Sequence, residues 1–373
     1  MKNSVHRPTR AIINLDNIRF NIQSLKEHLP RDTEVFAVVK ANAYGHGAVR
    51  VSLAVNDLVS GFCVSNLDEA LELREAGIKK PILILSGIEP CDVSLAIKEN
   101  LSITLPSLDY LEEILKEDVD LEGLKVHIAV DSGMGRIGLR DAEELRQIIA
   151  RLAEFDLEAE GIFTHFATAD EKATDKFLEQ QDNFQALIDS LEKRPKYVHS
   201  SNSATGIWRD NLTNIVRFGA GMYGLNPSGR TLSLPYQLKG ALTLESHVTH
   251  AKRLPAGQTV GYGATFVADK DTFIVTVPMG YADGWTRDMQ GSNVIIEGKL
   301  YPIVGRVSMD QITIEVDKLY PLGTTVTFIG QNGQETITID DVADKRKTIN
   351  YEVACLLSDR ISREYTEMDI VVE

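Results

Sequence analysis

Between residues 35 and 225, short apolar runs rich in β-branched residues alternate with longer segments whose apolar positions recur three and four apart. The short runs are Val35–Val39, Gly61–Ser65, Ile82–Ser86, Ser102–Leu105, Val126–Val130, Gly161–His165, Tyr197–Ser201 and Ile215–Gly219. Runs without polar alternation predict strands buried on both faces. The longer segments predict helices, for example 67–77, where Gly77 closes the end, and 142–152. Strand and helix in alternation imply a parallel sheet, and eight such units predict an α/β fold closed into a (β/α)8 TIM-like barrel. An open doubly wound sheet is the alternative, but no GxGxxG turn follows the first run, which counts against a dinucleotide-binding sheet.

Near residue 240 the helical spacing gives way to short alternating runs at His247–Ala251, Thr272–Val277, Asn293–Ile296, Gln311–Val316 and Thr324–Phe328. These predict a mostly-β C-terminal domain. Turn signals at 227–238 place the boundary, giving a barrel over 1–238 and a β-rich domain over 239–373.

Composition narrows the class. Apolar content of 43% and charged content of 25% are ordinary for a globular chain of 373 residues. The excess of 54 acidic over 39 basic residues, a formal charge of −15, argues against nonspecific nucleic-acid binding. No signal-peptide core opens the chain and no apolar run is long enough to span a bilayer, so a soluble, cytoplasmic protein without a membrane partner is expected. Cys63, Cys91 and Cys355 are scattered, which predicts neither a disulfide framework nor a metal site.

Barrels place their chemistry at the carboxyl ends of the strands. There the chain puts Lys40 and Tyr44 after the first run, Arg136 after a glycine-rich turn, His165, then His199 to Ser203, and finally Arg217 to Gly221. A lysine leaving a buried strand is partly desolvated and suited to forming a Schiff base. Singly, each of these residues has a plainer reading: a snorkelling lysine, a capping arginine, a satisfied core histidine, an N-cap serine. Together they are harder to dismiss. Ser203 with the amides around Gly219 and Ala220 can hold a phosphate, and a lysine facing such a cradle with an arginine between is the pattern expected for pyridoxal phosphate.

These residues resemble the bacterial alanine racemases over essentially the whole chain. The match rests on 37–47 (AVVKANAYGHG), 131–138 (DSGMGRIG), 217–224 (RFGAGMYG), 261–266 (GYGATF), 280–284 (GYADG) and 305–311 (GRVSMDQ). The resemblance implies interconversion of L- and D-alanine through a pyridoxal phosphate aldimine, supplying D-alanine for peptidoglycan, by a homodimer with shared active sites. Lys40 would carry the cofactor and act as one base, and Tyr262 from the other chain would be the opposing base. Tyr44, Ser203, Gly219, Ala220 and Tyr351 would surround the phosphate. Arg217 would face the pyridine nitrogen, with His165 between Arg217 and Tyr262. Arg136 and the Met309 amide would receive the substrate carboxylate, while Tyr281 and Arg306 would narrow the entrance.

The chemistry is coherent on its own terms. Racemisation removes a proton from one face of Cα and returns it to the other, which two opposed bases do most simply. A tyrosine titrating near its ordinary value of about 10 needs a positive charge nearby to accept a proton at neutral pH. The His165–Arg217 relay is the expected source of that charge. An arginine beside the pyridine nitrogen keeps it unprotonated and weakens the electron sink, which would suppress transamination. One position departs from the family. Two residues before Asp131, many members carry a carbamylated lysine that steadies the arginine, and here it is Ala129. A bound anion such as chloride, a nearby carboxylate or an amide is expected in its place beside Arg136. Rival readings are a racemase for serine or a larger amino acid, against which Tyr281 and Tyr351 suggest a small pocket, a barrel decarboxylase, and a non-enzymatic cofactor carrier.

Overall fold

A computed structural model of the chain describes residues 4–209, 213–367 and 370–372. The chain divides into two units: one holds residues 18–43 and 48–239, the other the segment up to Asn17, Tyr44–Gly47 and everything from Gly240 onward.

After β1 (Arg10–Asn14), eight strands run in one direction: β2 (Glu34–Val38), β3 (Gly61–Val64), β4 (Ile82–Ile84), β5 (Ser102–Leu105), β6 (Lys125–Ala129), β7 (Gly161–Phe163), β8 (Tyr197–His199) and β9 (Ile215–Phe218). They pair in parallel in the order β8-β7-β6-β5-β4-β3-β2-β9. Between β8 and β9, the Asn214 amide donates to Val198 O (3.1 Å) and the Arg217 amide to Ser201 O (3.0 Å), so the ring nearly closes. Every residue of β3, β4 and β5 is buried, as the continuous apolar runs require. The helices between them start on side-chain caps. Asn66 accepts from the Glu69 amide ahead of Leu67–Glu75, and Asp141 from the Glu143 and Glu144 amides ahead of Ala142–Ala153. At the end of the first, Gly77 takes a left-handed φ of 90°, and the Gly77 and Ile78 amides donate back to Arg74 O and Leu73 O.

The second unit is a large, mostly antiparallel sheet. In it β10 (Leu242–His247) pairs with β1 and with Thr325–Asn332, and β1 also pairs in parallel with Ser362–Glu367. The N-terminal strand therefore belongs to the β unit, which corrects the expected barrel limit at that end. The reason is visible in RAIIN: Ala11 and Ile13 are wholly buried while their neighbours are not, the alternation of a one-sided sheet rather than a barrel strand. The expected strand His247–Ala251 is also corrected. It straddles a change of partner, with the Val248 amide donating to Thr324 O and the Thr249 amide to Thr276 O, and the next strand runs His250–Leu254. The other four expected strands are present. A small core of Leu254, Val260, Ala268, Ile274 and Val304 sits beneath a two-stranded hairpin, Thr259–Val260 with Phe266–Val267.

Candidate active site

Lys40 follows β2 and is half-buried. The chain then makes one turn of left-handed helix: Ala41, Asn42 and Ala43 have φ of 52–54° and ψ of 48–50°, and Tyr44 has φ 53°. None is glycine, and each such residue costs about 1–2 kcal/mol. Specific bonds hold the turn. The Ala43 amide donates to Val39 O (2.8 Å), and Asn42 Oδ1 accepts from the Ala48 amide (2.8 Å). Glu69, which sequence reasoning did not single out, accepts from the Ala41 amide with one oxygen and from the Ser65 amide with the other, both at 2.7 Å. One carboxylate thus ties the lysine turn to the end of β3.

Beyond the adjoining strand β9, which pairs directly with β2, Ser203 Oγ accepts from the Gly219 amide (2.9 Å), with Asn202 capping the short helix Ser203–Trp208. Ala220 opens a 3-10 turn, and its amide has no acceptor among the described residues. A hydroxyl, an unpaired amide and a glycine turn form a donor set suited to a phosphate, so the residues fit the phosphate end of pyridoxal phosphate.

Arg217 is the hub between these groups. It is almost fully buried. Its Nη1 donates to His199 Nδ1 (2.7 Å) and His199 O (3.2 Å); its Nη2 donates to Thr164 O (2.8 Å), Ser200 O (3.3 Å) and His165 Nδ1 (3.3 Å). Only Nε–H is left without a protein acceptor among the described residues. Burial, offset in part by Cys63 and reinforced by Arg136, lowers the guanidinium to about 10, so it stays charged at neutral pH. His165 is pushed down to about 3 by burial and then by the charges of Arg217, Arg136 and Lys40. Three cations acting on one ring place Lys40, Arg136 and Arg217 at one mouth. His165 is therefore neutral, and the charge expected of the relay is Arg217's alone.

Arg136 is exposed and makes no ion pair among the described residues. The expected carboxylate or amide is not there. Asp131, the obvious candidate, is used up by the Gly133 and Gly135 amides and by Arg140 at 2.7 and 2.8 Å.

In the β unit, Tyr44 and Tyr351 face one another at 6.0 Å between ring centroids. Tyr262 crowns the hairpin on a tight turn with φ of 77° at Gly261 and 72° at Gly263, and its side chain is 73% exposed. The Arg306 guanidinium lies against Gly263, where a Cβ would come within 3.1 Å. Tyr281 and Met309 are also exposed and share a backbone pairing, the Tyr281 amide to Ser308 O (3.0 Å) and the Ala282 amide to Met309 O (3.1 Å). Gly280 is obligatory there, because a side chain would overlap the Ser308 and Met309 carbonyls. Beneath this turn lies Asp283, a buried carboxylate that sequence reasoning passed over and that accepts from the Gly280 amide (2.9 Å). Large exposed side chains gathered on one unit mark a surface built to meet something.

No described helix is long and apolar enough to cross a membrane, and no group of metal-ligating side chains occurs among the described residues. Residues 13–227 match the alanine racemase N-terminal domain and residues 241–365 the alanine racemase C-terminal domain. An alanine racemase of Streptococcus mutans serotype c is 57% identical over 97% of this chain and 98% of its own length. The crystal structure of alanine racemase from E. faecalis superposes with a TM-score of 0.96 at 48% identity, covering 98% of this chain and 100% of that one. A histidine racemase from Leuconostoc mesenteroides subsp. sake superposes at 0.92 with 31% identity, covering 98% and 100%. Both domain matches, the near full-length identity and the shared barrel-plus-β architecture show that this chain belongs to the alanine racemase family of isomerases.

Proposed function

We propose that the chain is a cytoplasmic, pyridoxal-phosphate-dependent alanine racemase that works as a homodimer by a two-base mechanism and supplies D-alanine for peptidoglycan. The observation that carries this reading is the environment of Arg217. It is a buried cation with four of five N–H groups spent on the protein and Nε–H left over, sharing a mouth with Lys40 and the Ser203–Ala220 cradle.

Bound there, pyridoxal phosphate supplies an electron sink that lets the Cα proton leave. The rest is the work of this chain. The Ser203 hydroxyl and the Ala220 amide would hold the phosphate, with the Gly219 amide orienting Ser203 Oγ, and the family likeness adds Tyr44 and Tyr351 to that set. Arg217, with Nε–H left over, would face the pyridine nitrogen, and its retained charge would disfavour a proton there. Lys40 takes or returns the Cα proton on one face. Tyr262 of a second copy serves the other face, which accounts for an exposed tyrosine on a rigid hairpin. Arg136 and the Met309 amide receive the substrate carboxylate, and Tyr281 and Arg306 restrict the way in.

The likeness to a histidine racemase makes substrate choice the point to test. The purified protein is incubated with pyridoxal phosphate and L-alanine, L-serine or L-histidine in deuterated water. Loss of optical rotation with deuterium entering Cα, fastest for alanine, is expected. Faster loss for serine or histidine overturns the substrate, release of carbon dioxide indicates a decarboxylase, and no reaction with any of them indicates a carrier.

A further inference from the structure

Behind Arg217 a line of buried polar groups runs down the inside of the barrel. His199 Nδ1 accepts from Arg217 (2.7 Å), His199 Nε2 meets His127 Nδ1 (2.8 Å), and His127 Nε2 meets Glu160 (3.2 Å). Ser102 Oγ also donates to the same Glu160 oxygen. Both imidazoles are 1% exposed, while Glu160 sits half-buried at the start of β7.

The direction of every bond in this line is forced. Arginine can only donate, so His199 Nδ1 carries no proton and its single proton is on Nε2. His127 Nδ1 must then accept, which puts the His127 proton on Nε2 and makes Glu160 the acceptor. Reversing any link leaves two protons, or none, facing each other. Burial keeps both rings neutral, with the Arg217 charge next in effect on His199. Burial alone would raise the Glu160 carboxyl, but donation from His127 and Ser102 and the charge of Lys125 bring it below its usual value.

The rings are built in. His199 stacks on Phe163 at 5.0 Å and 6°, and His127 on Tyr197 at 5.7 Å and 25°. Gly161 has no left-handed φ to explain it; a methyl there would overlap the His127 ring. Arg217 has no carboxylate of its own among the described residues.

We propose that Glu160 is the remote counter-ion of Arg217, and that Glu160 and His127 are positioning residues that act through His199 to hold the guanidinium in place. This rests on the reading of Arg217 as the neighbour of the pyridine nitrogen. Two polarised neutral imidazoles transmit the negative end of Glu160 to Nη1 and leave Nε to face the cofactor.

The test uses full-length protein labelled with 15N-histidine, with and without pyridoxal phosphate, alongside Glu160→Gln, Glu160→Leu and Gly161→Ala. In the unsubstituted protein, both His127 and His199 are expected neutral with the proton on Nε2. Glu160→Gln keeps an acceptor and so keeps both tautomers, but lowers kcat roughly tenfold through loss of the charge, with KM for alanine unchanged. Glu160→Leu strands the His127 proton, shifts the His199 imidazole resonances and lowers kcat further. Gly161→Ala pushes on the His127 ring while leaving every member of the line chemically unchanged, and gives the same kcat-only loss. A His199 that is doubly protonated or carries its proton on Nδ1 overturns the proposal. So does a Glu160→Leu protein with unaltered His199 signals and kcat. The resonances report on the line even if the protein racemises nothing, and the racemisation assay stands even if the line proves reversed.

Discussion

Arg7 and Asp283 form a two-armed ion pair across 276 positions of chain, with Arg7 Nη2 to Asp283 Oδ2 at 2.8 Å and Nη1 on Oδ1. Asp283 is wholly buried and also receives the Gly280 amide (2.9 Å), while Arg7 continues to Asp310 O (3.1 Å) and Arg360 binds the Asp310 carboxylate (2.7 Å). The pair thereby couples the turn carrying Tyr281 to the loop carrying Met309. Arg7→Ala leaves a buried carboxylate short of its main partner and is expected to cost about 3–5 kcal/mol of stability. KM for alanine is expected to rise as Met309 loses its support. A urea titration with steady-state kinetics checks both effects.

The left-handed turn after Lys40 makes a prediction of opposite sign for two substitutions at one position. Ala41→Gly removes the Cβ penalty and is expected to be neutral or to stabilise by up to about 1 kcal/mol. Ala41→Val puts a β-branched residue at φ 52° and is expected to destabilise by more than that. Equilibrium unfolding of the two variants decides it.

Acid should unfold this protein through its histidines. His165 sits at about 3, and His127 and His199 also lie below the ordinary value of 6.5. The unfolded chain therefore binds more protons than the folded one from about pH 6.5 downward. Stability is full above that value and falls as the pH drops toward 3, by close to 1.4 kcal/mol per pH unit from His165, with His127 and His199 acting in the same direction. His165→Phe should flatten the slope by about one proton, measurable by thermal or urea unfolding across pH 3–8.

If each site takes Lys40 from one chain and Tyr262 from the other, two inactive variants rescue one another. Lys40→Ala and Tyr262→Phe are each expected to lose activity by 100-fold or more, in line with the roughly 10²–10⁴-fold weight of a positioned acid or base. Mixed, unfolded and refolded together, they should recover up to about a quarter of the unsubstituted rate, since half the dimers then hold one intact site. No recovery would place both bases in one chain.

Arg136 has no counter-charge among the described residues, and Ala129 cannot be carbamylated. An anion is expected to take that place. KM for alanine should fall when chloride replaces a bulky organic anion at constant ionic strength, and Ala129→Lys should remove that dependence.

The barrel was legible because its strands are buried on both faces and so read as unbroken apolar runs. The lysine, the arginines and the tyrosines stood out at strand ends or in motifs carried by the family likeness. What stayed hidden depends on distance and backbone shape. His127 and Glu160 are ordinary residues until β6, β7 and β8 pair and bring their inward positions together. Glu69 looks like one more acidic residue on a helix until its two oxygens meet Ala41 and Ser65. The turn at 41–44 has no glycine, so nothing in its composition announces a left-handed conformation. β1 escaped notice because its alternation is only five residues long and its partners lie far along the chain.

That last placement sets the order in which the molecule can be finished. On a ribosome, Arg10–Asn14 is made before the barrel strands, whereas its two neighbours follow them, Leu242–His247 just after the barrel and Ser362–Glu367 much later. At ordinary synthesis speeds the strand waits on the order of ten seconds or more with both edges open. The barrel strands can pair during that interval, but the β sheet cannot close around β1 until almost the whole chain exists. One edge of β1 therefore stays open from the making of the barrel until Leu242–His247 follows it, and the other until Ser362–Glu367 is made.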